Sequence, residues 1–126
     1  MTDTRTEQER RAQRRAALEE ANRIRSYRAR LKVDVKADAT AQLAIGLIAH
    51  PEPEAATMLV IDVLYQVQGL GKVRARDILN GAGVRNTTRR LNNLTDRERT
   101  GIIGELTDHA HRRAARRSAT NGGPIQ

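Results

Sequence analysis

Over residues 4–32 the apolar positions are sparse and fall at helical spacing. Ala17, Leu18, Ala21, Ile24, Tyr27 and Leu31 form a thin stripe in a run otherwise rich in Arg, Glu, Gln and Ala. These are good helix formers, and neither Gly nor Pro interrupts them. Thr4 with Glu7, or Thr6 with Glu9, has the spacing of a capping box. The pattern predicts one long helix. Its second half, from Ala17 on, can dock on a core. Its first half carries Arg10, Arg11, Arg14 and Arg15, has little to bury, and is expected to fray when alone.

Apolar density then rises. Asp38 or Thr40 can cap a second helix to about Ala49, with Leu43, Leu47 and Ile48 on one face. His50-Pro51-Glu52-Pro53 stops it. A third helix over about 54–67 carries Met58, Leu59, Ile61, Leu64 and Val67. Its Met-Leu-Val-Ile run also suits a short buried strand, but the spacing continues to Val67 and favours a helix. Gly69-Leu70-Gly71 makes a turn. A short helix over 72–80 directs Val73, Ile78 and Leu79 inward, and Gly81-Ala82-Gly83 ends it. Residues 84–94 form a polar, basic connector anchored by Leu91 and Leu94. Thr95 and Glu98 form a capping box for a last helix. That helix carries Ile102, Ile103 and Leu106 and extends to about Arg117. Ser118 to Gln126 is a tail with nothing to bury.

The expectation is therefore an all-α fold: a long N-terminal helix (1–37), a small helical domain (38–107), and a basic helix end with a disordered tail (108–126). The chain's 126 residues suffice for one small domain. It has no Phe, no Trp and two Tyr, so the core must be aliphatic, which suits helix-on-helix packing. There is no Cys, which removes disulfides, thiolate metal sites and Cys nucleophiles. No apolar run reaches the ~18–20 residues of a membrane span, and Met1 to Arg5 does not open a signal peptide. An intracellular, cytoplasmic protein is expected.

Charge sharpens the picture. Residues 1–32 hold ten Lys/Arg against five Asp/Glu, a balance of +5. Residues 33–68 hold one against five, or −4, and residues 69–126 hold twelve against five, or +7. Two basic ends around an acidic middle point to a polyanionic partner. The basic helices lack large apolar residues to insert into a lipid surface, so nucleic acid ranks above membrane.

Two segments carry candidate chemistry. In Gly69-Leu70-Gly71-Lys72-Val73-Arg74-Ala75-Arg76, two glycines bracket one apolar residue and open a helix. Glycine allows close backbone approach, and the free N–H groups of a helix start favour an anion. Lys72, Arg74 and Arg76 add charge beside them. The plainer reading is a tight helix–helix connection, and a Gly-x-Gly alone is a weak signal. A Walker-type nucleotide site does not fit. Thr87-Thr88-Arg89-Arg90-Leu91 is either a solvated loop or a second phosphate clamp, with Thr88, Arg89 and Arg90 reaching the backbone. If it folds back toward Lys72, both sets grip one duplex across a groove. The N-terminal arginines read as an exposed helix face, with Glu19 and Arg23 paired at i,i+4. The unpaired excess suits a phosphate-contacting arm, with Arg23 and Arg28 as candidate contacts. Arg112, Arg113, Arg116 and Arg117 read either as favourable charge at a helix C-terminus or as a basic tail. His50, His109 and His111 read as ordinary surface histidines, with no carboxylate or Cys set for a metal. No nucleophile motif or paired carboxylate indicates an enzyme, and no cofactor is expected.

From Leu59 through Leu106 the chain resembles the actinobacterial (mycobacterial-type) integration host factor family. The matching pieces are Asp62-Val63-Leu64, Leu70-Gly71-Lys72-Val73-Arg74-Ala75, Ile78-Leu79, Thr88-Arg89-Arg90-Leu91 and Leu94-Thr95-Asp96-Arg97. The long charged helix and residues 39–53 have counterparts in order and length; about 107–126 looks extra. The resemblance implies a helix-two-turns-helix DNA-binding domain. It also implies a nucleoid-associated protein that binds duplex DNA with little sequence preference, bends or compacts it, and supports phage integration, which brings an integrase–DNA complex in as a partner. A monomer in solution is expected. By the same resemblance the Gly69 to Gly71 turn with Lys72, Arg74 and Arg76 is one phosphate contact. Thr88, Arg89 and Arg90 match a stretch tied to DNA binding, although Asn92 stands where the family carries a further arginine. The rival expectations are an RNA- or ribosome-binding module using the same motif, and a protein-interaction adaptor.

Overall fold

The computed structural model describes residues 3–122, with side chains from Thr6 to Ser118. The chain is all-helical. The elements are α1 (Asp3–Ala37), α2 (Gln42–Ala49), α3 (Val60–Gln66), α4 (Lys72–Gly81), a single 3-10 turn (Leu91–Asn93) and α5 (Asp96–Gly122). Among the described residues there is no strand, only an isolated antiparallel bridge between Leu59 and Arg90.

α1 is 35 residues long, about 50 Å at 1.5 Å per residue. It is helical from its start, including the half expected to fray, and residues 7–20 are all exposed. Leu18, placed on the docking stripe by its spacing, is 60% exposed. Docking begins near Ala21 and Ile24 and reaches Val35, close to the helix end at Ala37. Polar links fix that half. Arg28 Nε donates to the Glu54 carbonyl at 2.9 Å, its Nη2 donates to the Thr57 hydroxyl, and Gln68 Nε2 donates to the Lys36 carbonyl at 3.1 Å. The Tyr27 hydroxyl donates to the Glu52 carboxylate, and this bond, more than burial, pushes the phenol up to about 12.

The N-cap of α2 is Ala41, in the left-handed region and with no side-chain cap of its own, and Asp38 supplies the capping bond from three residues upstream. Its carboxylate accepts the Leu43 N–H at 2.9 Å and the Thr40 N–H at 2.9 Å. These bonds, Leu43 first, hold Asp38 below the usual carboxylate range. The buried face of α2 is Ala44, Leu47 and Ile48, whereas Leu43 is 44% exposed, against expectation. The other end of α2 is closed by Arg99 of α5, whose Nη1 donates to the Ile48 carbonyl at 2.6 Å, a cation at a helix C-terminus.

The third helix is shorter than predicted because the backbone before it bonds elsewhere. The carbonyls of Glu54, Ala56, Thr57 and Met58 accept from Arg28, Asn92 N–H, Arg90 and Leu91 N–H. The N–H groups that would reach back to Glu54 and Ala56 in a helix go elsewhere too, Met58 to the Ala55 carbonyl and Val60 to that of Arg89. Residues 53–57 are therefore turns and Leu59 is extended. α4 starts at Lys72 as expected, but its inward face is Ala75, Ile78 and Leu79; Val73 is 75% exposed. Gly83 ends α4 in the left-handed region at φ 91°. Its N–H donates to the Asn80 carbonyl at 3.0 Å, and that of Val84 to the Leu79 carbonyl at 2.8 Å, the Schellman arrangement. Two turns, at 82–83 and 87–88, separate α4 from the 3-10 turn and α5.

The Thr95–Glu98 box opens α5 in both directions: Glu98 N–H to Thr95 Oγ1 at 3.1 Å and Thr95 N–H to Glu98 Oε1 at 2.8 Å. α5 continues to Gly122, past the predicted end near Arg117, so Ser118 is helical; residues 123–126 of the expected tail lie outside the described residues. α2 and α4 pack on α5, and α3 packs on α1, α2 and α4. Ile48, Val60, Val63, Leu64, Leu79, Val84, Leu91, Ile102 and Leu106 are fully buried at the centre.

Candidate nucleic-acid interface

The turn between α3 and α4 is built by two glycines with different duties. Gly69 sits at φ 76°, where an L side chain is strained, and a Cβ there would run into the Arg113 guanidinium. Gly71 has ordinary extended φ, and a Cβ would meet nothing within 4 Å. It is the N-cap of α4, with no side-chain cap bond and no acid in the first turn. The free N–H groups of that turn therefore face an open approach, the electrostatic setting for an anion. Leu70 between them is buried and anchors the turn.

The cations at this end of α4 are loosely engaged. Lys72 Nζ stands 5.8 Å from the centre of the Tyr65 ring, near the limit of a cation–π contact. Arg74 Nη2 is 4.0 Å from Glu105 Oε2, with both side chains about half exposed. Such a pair contributes little. Arg76 is exposed and has no hydrogen bond or ion pair among the described residues.

The Thr88–Arg90 loop is engaged in holding the fold. Arg89 Nη2 and Nη1 donate to the two Glu98 oxygens at 2.7 and 3.2 Å, and Nη2 also reaches the Asn93 carbonyl. The Thr95 backbone N–H, then Arg89, keep Glu98 below the usual carboxylate range. Arg90 Nη1 donates to the Thr57 carbonyl but the side chain remains exposed. Thr88 Oγ1 donates to Asn86 Oδ1 at 2.6 Å within the turn. Arg89 is therefore a half-buried staple between the loop and the start of α5, a role its neighbours in sequence did not suggest.

The loop meets the start of α3. The Arg89 carbonyl accepts the Val60 N–H at 3.0 Å, at the start of α3, whereas the Gly69 turn follows the end of α3. Seven residues of α3, about 10 Å, separate the two. In the arm, Arg23 pairs with Glu20 at 2.7 Å, not with Glu19, and stands 3.7 Å from Glu54. Arg28 is the α1 staple described above.

Sequence reasoning missed what the Gly69 turn does meet, the second half of α5. His109, read as a surface residue, is 8% exposed, and its Nε2 donates to the Gln68 carbonyl at 2.9 Å. Arg113 Nη2 donates to Gln68 Oε1 at 3.3 Å. Residues 109, 112, 113 and 116 recur at helical spacing, the signal that would have placed them on one face. Among the described residues no three His, Cys, Asp or Glu side chains gather as a metal site, and no helix is long and apolar enough to cross a membrane. No protein-family model, no curated protein and no solved structure matches the chain.

Proposed function

We propose that the chain is an architectural binder of double-stranded DNA. It grips backbone phosphates with little sequence preference, and bends or compacts the duplex at the nucleoid, in the cytoplasm. On this reading it acts by binding alone, is a member of the mycobacterial-type integration host factor family, and supports site-specific phage integration beside an integrase–DNA complex. The observation that carries it is the start of α4. An uncapped helix N-terminus stands open beside Gly71, free of acids in its first turn, with Lys72 and Arg76 held by no carboxylate. A phosphate satisfies those N–H groups and those cations together. The near absence of aromatic residues argues against readout of single strands, which relies on stacking.

The test is equilibrium competition. Several duplexes of unrelated sequence and one structured RNA of equal length compete for the full chain. Similar affinities across the duplexes, each above the RNA, are expected. Preference for the RNA would replace this function with an RNA-binding one.

A further inference from the structure

Several arginines remain without a partner among the described residues once the fold and the α4 start are accounted for, and two of them share one groove. Four arginines have internal work: Arg28, Arg89, Arg90 and Arg99 all donate to backbone carbonyls. Arg112 and Arg116 have no hydrogen-bond or ion-pair partner among the described residues. The two lie at i,i+4 on α5, where like charges disfavour a helix. Charge at a helix C-terminus does not explain them, because α5 runs on to Gly122 and that effect is confined to the last turn.

Both line an open groove of about 410 Å³ together with Gly69, Arg74 and His109. The groove has a fixed floor. The His109 bond to the Gln68 carbonyl and the Arg113 contact at Gly69 strap the turn to α5. The Arg113 Nε is buried there without a partner. Three guanidinium groups, from two helices, thus converge on one groove. Among the described residues Arg74 alone of the three has an ion pair, with Glu105 at 4.0 Å.

We infer that this groove is a discrete cradle for one DNA backbone phosphate, formed by Arg112 and Arg116 of α5 together with Arg74 from the first turn of α4. The inference rests on the duplex-binding reading above. Planar guanidinium forks match phosphate oxygens in pairs, which suits this ligand better than an isolated carboxylate. His109 and Arg113 act as positioning residues: they keep the turn and α5 together.

Arg117 provides the internal control. It is on the same helix and carries the same charge, but lines a different groove with Thr40, Gln42 and His111. Duplex binding by the full chain is measured against salt for the wild type, for Arg112→Ala/Arg116→Ala and for Arg117→Ala. Circular dichroism monitors helicity, and α5 beyond Ala110 is mostly exposed, so folding is expected to survive. The double variant is expected to lose affinity on the order of tenfold, and its salt slope to shrink by about 1. Arg117→Ala is expected to match the wild type. Equal losses in both variants would mean a diffuse basic tail and overturn the cradle. Unchanged binding by the double variant overturns it too, and leaves the duplex-binding function standing. Failure of the wild type to bind duplex DNA overturns that function and the cradle with it.

Discussion

Replacing Gly69 by alanine separates two ways in which a residue can be wrong for its place. The backbone stands at φ 76°, and the new Cβ would also strike the Arg113 guanidinium. The first penalty is intrinsic, about 1–2 kcal/mol for an L residue in the left-handed region. The second is small. The struck group is the end of a flexible side chain, its bond to Gln68 is long at 3.3 Å, and swinging outward would hydrate an Nε now buried without a partner. Backbone strain therefore dominates, and Gly69→Ala is expected to cost about 1–2 kcal/mol in urea denaturation. Asparagine decides the matter, because it tolerates the left-handed region but is bulkier. Gly69→Asn is expected to cost less than Gly69→Ala. If asparagine proves as damaging as alanine or worse, steric conflict governs and the strain argument fails.

Three further outcomes follow from the fold. Ile102→Ala, at the fully buried centre, is expected to cost about 2–5 kcal/mol by thermal or chemical denaturation. Val73→Ala, at a side chain 75% exposed, is expected to stay within about 0.5 kcal/mol of the wild type; a large loss would place Val73 in the core after all. Glu98→Gln is expected to cost about 1 kcal/mol at pH 7, since it removes the charge that Arg89 and the start of α5 use. The folded-state pKa of Glu98 is depressed, so its contribution is complete above the ordinary value of 4.5 and fades as pH falls through the folded value. The gap between variant and wild type should therefore close in urea titrations below pH 4.5, and a gap constant with pH would contradict the assignment.

The helices were legible because their signals are local. The capping box at Thr95 and Glu98, the Asp38 cap and the Gly83 stop are bonds made within a few residues, and the structure makes them. Faces were less legible. Val73 is two residues from Ala75, about 200° around the helix, so once Ala75 faces the core Val73 cannot. Small residues hid this, since Ala44 and Ala75 are completely buried but read as weak apolar signals beside Leu43 and Val73. The site was half legible. Gly71, Lys72, Arg74 and Arg76 are exposed at the start of α4, as their spacing suggests. Arg28 and Arg89, however, meet partners 26 and 9 residues away, and His109 meets Gln68 at a separation of 41. Such pairings depend on how helices stack, which no local spacing specifies.

The central claim is that affinity for duplex DNA comes from backbone phosphates. A titration of full-chain binding to one short duplex over a series of salt concentrations tests it most directly. With ~5 phosphate contacts, log affinity is expected to fall with log salt at a slope of about −4 to −5. A slope near zero would contradict the account.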